Sequence, residues 1–131
     1  MARLRIFTIL LALIPIATGA ISLMGLSDPL YKSAQLTIMP VLDSNLRFLG
    51  GVWCALGFAL LWSAFDLAKR GPIFRTVWMA IFVGGIGRVL SVIFVGLPPL
   101  PFVFFTVLEI AGAPLFLYWH SKVCNSQLLL S

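Results

Sequence analysis

Two opposite charges stand inside apolar sequence: Arg88 in the otherwise uncharged run from Thr76 to Gly96, and Glu109 in the next such run. A charge at the middle of a membrane helix costs about 2.5–3.5 kcal/mol on insertion scales, so each of these groups calls for a partner. A guanidinium offers a planar fork of donors suited to carboxylate and phosphate, and a carboxylate can orient that fork and balance its charge. Arg47 lies four residues after Asp43, the spacing of neighbours on one helix face, with Asn45 between them. Gathered together, Asp43, Asn45, Arg47, Arg88 and Glu109 would form a formally neutral cluster. Such a cluster suits a small polar or amphipathic ligand such as a lipid head group, with Arg47 and Arg88 as donors, Glu109 orienting Arg88, and Asp43 and Asn45 at the mouth.

Other chemistry is hard to assemble. The single histidine, His120, stands about a helix length from Glu109, so no nucleophile–histidine–acid set forms within one chain. No Cys/His spacing fits zinc or haem. Gly84-Gly85-Ile86-Gly87 opens no βαβ unit and is not a dinucleotide fingerprint. No catalytic residue, metal or cofactor is therefore expected. Cys54 falls in an apolar run and Cys124 in the C-terminal tail, too far apart for a disulfide.

The elements that must position these groups follow from composition. Of 131 residues, 61% are hydrophobic and 10% charged, and the mean hydropathy is +1.10. Soluble domains carry about a quarter charged residues. The reading is an all-α, polytopic membrane protein: a four-helix transmembrane bundle forming one integral membrane domain over residues 1–131. The net charge of +5 sits at segment ends rather than along one surface, which excludes nucleic acid as the expected partner.

The spans are placed at about 6–26, 44–67, 74–96 and 102–120. Arg3 and Arg5 followed by Ile6–Ile16 and the small residues Ala17-Thr18-Gly19-Ala20 also resemble a secretory signal, but the apolar run continues to Leu26 and favours a retained helix. Pro15 is expected to bend it. Asp43 or Ser44 is the expected N-cap of the second span. Lys69-Arg70-Gly71-Pro72 makes a basic turn, and Leu97-Pro98-Pro99-Leu100-Pro101 a tight uncharged one. That tight turn makes the third and fourth spans antiparallel neighbours. Arg88 then lies about 12 Å below the outer boundary and Glu109 about 10 Å, so the two charges meet in depth.

Orientation comes from the basic residues. Arg3, Arg5, Lys69, Arg70, Arg75 and Lys122 fall on one side, which the positive-inside rule makes cytoplasmic, with both termini. Trp62, Trp78 and Trp119 are expected at that boundary, with His120 beside Lys122 and Asp66 facing Lys69 or Arg70. Trp53 is deeper and expected in the packed core. Small residues share faces with the charges: Ala80, Gly84 and Ser91 with Arg88, Gly112 and Ala113 with Glu109, Gly50, Gly51 and Cys54 with Arg47. Thr18, Ser22 and Gly25 form a similar stripe. Small residues mark helix contacts, so the charges are expected to point inward. Pro114 removes the hydrogen bond to the Ile110 carbonyl, either bending the helix or freeing that carbonyl beside Glu109.

At these residues the chain resembles the bacterial four-helix membrane family called domain of unknown function 4345. The resemblance rests on Asn45-Leu46-Arg47-Phe48-Leu49-Gly50-Gly51, Gly84-Gly85-Ile86-Gly87-Arg88 with Ser91, Gly96-Leu97-Pro98-Pro99 and Leu108-Glu109, from the second span onward. The layout also looks like DoxX-type four-helix membrane proteins, as an analogy of architecture. The resemblance implies a small inner-membrane bundle with no assigned reaction. Partners expected are membrane lipid, a small amphipathic ligand and a second copy of the chain. Two alternatives stand beside ligand binding: an accessory subunit whose ion pair only fixes helix packing, and a subunit of a proton-coupled transporter, with Glu109 carrying protons.

Overall fold

Proline placement decides where the helices begin. In the computed structural model, which describes residues 1–32, 36–37 and 39–128, α1 spans Ala2–Ser22, α2 Pro29–Lys32, α3 Pro40–Ala64, α4 Gly71–Val95, α5 Leu100–Val107 and α6 Ala113–Leu128. A 3₁₀ turn, Gly25–Ser27, follows α1, and a π turn, Leu108–Gly112, joins α5 to α6. The helices α3, α4 and α5 each carry a proline in the first turn. Proline is favoured there because its φ is preset and its missing N–H would be unbonded anyway. The second, third and fourth spans therefore start about a turn or less earlier than residues 44, 74 and 102. The N-cap of α3 is Met39, not Asp43 or Ser44, and Asp43 lies within the first turn.

At the other end of α1 the helix stops at Ser22 rather than Leu26. Gly25 turns the chain at φ +62°, a backbone conformation that favours glycine. Pro15 is accommodated inside α1, which continues past it. Gly96, at φ +117°, closes α4. Part of the connection between α2 and α3 lies outside the described residues. Among the described residues there is no strand. Four helical stretches among the described residues are long and apolar enough to cross a membrane: Ala2–Ser22, Pro40–Ala64, Gly71–Val95 and Leu100–Cys124. The chain has the make-up of a multi-pass membrane protein.

The chain divides into two compact units, Arg5–Phe65 and a second made of Met1–Leu4 with Asp66 onward. Within the first, α1 and α3 cross with their backbones almost touching. A Cβ added at Gly19 would stand 2.5 Å from the Cys54 nitrogen and 2.7 Å from the Gly50 carbonyl. One added at Gly57 would meet Ile16 Cγ1 at 2.7 Å. Glycine at such crossings is how membrane helices gain close packing without a hydrophobic driving force. Trp53 Nε1 donates to Thr18 Oγ1 at 2.9 Å across the crossing, so Trp53 sits at the helix contact as its depth implied.

In the second unit α4 packs against α6 through two aromatic layers. Trp78 stacks on Phe116 with centroids 4.7 Å apart, and Phe74 on His120 at 4.7 Å. The two residues on each helix are four apart, so adjacent turns supply adjacent layers. His120 Nε2 donates to the Leu67 carbonyl at 3.0 Å. Trp78 and His120 are only 2% and 3% exposed. Both were expected at the membrane boundary. Their burial shows that both rings face the neighbouring helix rather than outward, whatever their depth along it.

Candidate functional site

The tight proline turn returns the chain alongside α4, and Arg88 and Glu109 meet across it. Arg88 Nε lies 2.9 Å from Glu109 Oε2 and 3.2 Å from Oε1, with good donor geometry to Oε1. The carboxylate is buried, at 5% exposure. Gly85, one turn before Arg88, makes room for it: a Cβ there would stand 2.9 Å from Glu109 Cβ and 3.1 Å from Ile110 Cδ1. The acid also rides on the π turn, Leu108–Gly112, which ends two residues before Pro114. With no N–H at Pro114 the regular ladder cannot pass through Ile110, and a widened turn is one way a helix absorbs that loss. Such turns recur at functional positions.

Arg88 is held by one corner. Its Nε serves Glu109, and its Cζ lies 5.7 Å from the Phe102 ring centroid, a cation–π contact worth about 0.5–1 kcal/mol at an exposed site. The terminal nitrogens Nη1 and Nη2 reach no acceptor among the described residues. The side chain is 36% exposed. The arrangement is an oriented guanidinium with the flat end of its fork open, backed by a neutralising carboxylate.

Arg47 is used differently. Its Nε pairs with Asp43 Oδ2 at 2.7 Å, Nη1 donates to the Leu23 carbonyl at 2.7 Å, and Nη2 donates to the Met24 carbonyl at 3.1 Å. These carbonyls lie just past the end of α1, and that of Met24 also accepts from the Ser27 N–H at 3.2 Å. Asp43 Oδ1 in turn accepts from the Leu26 N–H at 2.9 Å. The Asp43–Arg47 pair thus ties the end of α1 to the first turns of α3. Gly25 belongs to this clasp, since a Cβ there would run into the Asp43 carboxylate. Asn45 is exposed, and its side chain makes no hydrogen bond with a described residue. Of the five residues singled out in the sequence, Asp43 joins Arg47 and Arg88 joins Glu109, while Asn45 joins neither.

Small residues did not all turn inward. Gly112 and Ala113 are buried on the Glu109 face, as expected, but Ala80, Gly84 and Ser91 are exposed. On α4 the inward glycine is Gly85. Arg88 lies between these two faces, so sharing a side with Gly84 and Ser91 did not mean facing the core.

Asp28 was missed. It is 0% exposed, accepts from Ser22 Oγ at 3.0 Å and from the Leu30 N–H at 2.9 Å, and so caps α2. The pair Asp28-Pro29, an N-cap type before a proline at the first helical position, was the available signal. At the far end Asp66 accepts the Lys69 N–H at 3.1 Å and lies 3.9 Å from Lys69 Nζ, which settles its partner as Lys69. Among the described residues no group of three or more His, Cys, Asp or Glu could hold a metal ion.

A family model described as Domain of unknown function (DUF4345) matches residues 3–120. The match takes in the first span as well as the three that carry the motifs. No curated protein and no solved structure matches the chain.

Proposed function

From the premise that the chain belongs to the DUF4345 family, we propose that it binds the anionic head of a small polar or amphipathic molecule, such as a lipid, at Arg88. The observation that carries this reading is the half-used guanidinium: Nε is bonded to Glu109 and both terminal nitrogens lack an acceptor among the described residues. Donors left open in an apolar setting are costly, and an oxyanion matches the fork in shape and charge. Glu109 orients Arg88 and holds the empty site neutral. Arg47 and Asp43, with Asn45 nearby, act as a brace for α1 in this reading, since the Arg47 nitrogens are engaged with Asp43, Leu23 and Met24.

The setting proposed is a bacterial inner membrane with both termini cytoplasmic, supported by the basic residues that flank the spans on one side. Native mass spectrometry of the full chain with extracted lipids tests the ligand reading. Wild type should retain anionic lipid that Arg88→Gln loses. Equal retention by both proteins overturns it.

A second reading, an accessory subunit in which the pair only fixes packing, is favoured by the tight seat of Glu109 against Gly85. The swap Arg88→Glu with Glu109→Arg separates the two. Restored folding together with restored cellular phenotype supports packing, and restored folding without phenotype supports a ligand.

A further inference from the structure

From Val89 to Leu108 the chain carries no charged residue, and only Ser91 and Thr106 have polar side chains. Thr106 Oγ1 is already committed to the Phe102 carbonyl at 2.8 Å. The turn between α4 and α5 stands at the centre of this stretch. Around it Phe94 is 81% exposed, Val95 86%, Leu97 80% and Leu100 83%. A large apolar patch of this kind marks contact with a protein or a membrane. It is continuous with the exposed Ile93 and Phe104, on the outer flanks of two helices that are apolar enough to cross a bilayer.

The backbone of the turn is equally short of donors. Pro98, Pro99 and Pro101 have no N–H. The Gly96 N–H donates to the Val92 carbonyl at 3.1 Å, and that of Phe102 to the Pro99 carbonyl at 2.9 Å. Between Gly96 and Phe102, only the N–H groups of Leu97 and Leu100 lack a partner among the described residues. Irregular backbone is excluded from hydrocarbon because its polar groups go unbonded, and this turn has few to lose. Its length places it at the boundary. The rise from Arg75 to Gly96 is about 31 Å, against a hydrocarbon thickness of about 30 Å. With the basic residues at one face of the bilayer, the turn ends at the other, and no length remains to carry it into water.

We infer that the α4–α5 turn is a lipid-seated anchor, with Phe94, Val95, Leu97 and Leu100 inserted just beneath the head groups of the leaflet opposite Lys69 and Arg70. Its partner is a phospholipid surface. This rests on the four helices crossing a membrane and is independent of any ligand at Arg88. The anchor sets the depth of α4 and α5, and with them that of the Arg88–Glu109 pair. The other candidate occupant is a second copy. Copies in one membrane meet side by side, which covers the flanks of the helices and leaves the end of the turn open.

The test uses the full chain with Cys54→Ala and Cys124→Ala in nanodiscs of phosphatidylethanolamine and phosphatidylglycerol. A nitroxide is attached at Leu97→Cys or Leu100→Cys, where the side chains are exposed and the label displaces no packing. Collisions with oxygen, which dissolves among acyl chains, are compared with collisions with a water-soluble nickel chelate. The oxygen-to-nickel ratio at both positions should approach that at Val83→Cys, on the flank of α4, and exceed that at Lys69→Cys, in the basic turn. A ratio equal to that at Lys69→Cys places the turn in water and overturns the inference. Low access to both probes, with an immobilised spectrum, assigns the turn to a second copy and overturns it as well. Leu97→Asp with Leu100→Asp, read through a nitroxide at Val95→Cys, should lower the ratio several-fold as the turn is drawn toward water. An unchanged ratio there also overturns the anchor.

Discussion

Adjacent glycines with opposite surroundings give a clean measurement of how tightly Glu109 is seated. Gly84→Ala and Gly85→Ala add the same methyl to the same helix, one residue apart. Each gains the helix-propensity difference between glycine and alanine, about 0.8–1 kcal/mol in soluble hosts and less where the reference state is already helical. That gain cancels when the two variants are compared. At Gly84 the new Cβ meets nothing within 4 Å, whereas at Gly85 it lies 2.9 Å from Glu109 Cβ and 3.1 Å from Ile110 Cδ1. The Ile110 methyl can swing aside, but Glu109 Cβ is fixed to the backbone of the π turn and moves only if that turn moves. Overpacking of this kind costs about 1–3 kcal/mol. Gly85→Ala should therefore unfold more readily than Gly84→Ala by that amount in mixed-micelle titrations followed by tryptophan fluorescence. A double-mutant cycle between Arg88→Gln and Glu109→Gln should also show weaker coupling in the Gly85→Ala background. Equal stabilities for the two alanine variants would refute the seating argument.

Pro114→Ala restores an N–H opposite the Ile110 carbonyl, so the π turn should relax toward α-helix and turn Glu109 away from Arg88. The same cycle should then report reduced coupling, and unchanged coupling would mean that the turn owes nothing to the proline. His120→Phe keeps a ring on Phe74 but removes the donor that Leu67 receives. Leaving that carbonyl unbonded should cost about 1–3 kcal/mol in the same unfolding titration, and no loss would show the bond to be idle.

The four helices and the Arg88–Glu109 pair were legible because a charge inside an apolar run is conspicuous and a short proline turn leaves its two flanking helices side by side. Facing was harder to read. Lipid and helix interior are equally apolar, so periodicity on α4 does not separate Gly85, which is buried, from Gly84, which is exposed. The facing of Trp78 and His120 was hidden for a related reason: an amphipathic ring near a helix end can turn outward or stack inward, and only the residues opposite decide. Asp28 drew no notice because its partners, Ser22 Oγ and the Leu30 amide, are brought to it by a turn at Gly25 whose geometry hydropathy does not record. The π turn left one trace, Pro114, which fits a simple bend equally well.

The clasp of Arg47 on the Leu23 and Met24 carbonyls has a bearing on biogenesis. Those acceptors follow the end of α1, and the side chain that reaches both of them is synthesised more than twenty residues later. Until then, the Leu23 carbonyl is left to water or lipid polar groups, while that of Met24 keeps the Ser27 N–H. The end of α1 thereby reaches its finished form only when α3 is delivered, so the two segments are completed together rather than one after the other.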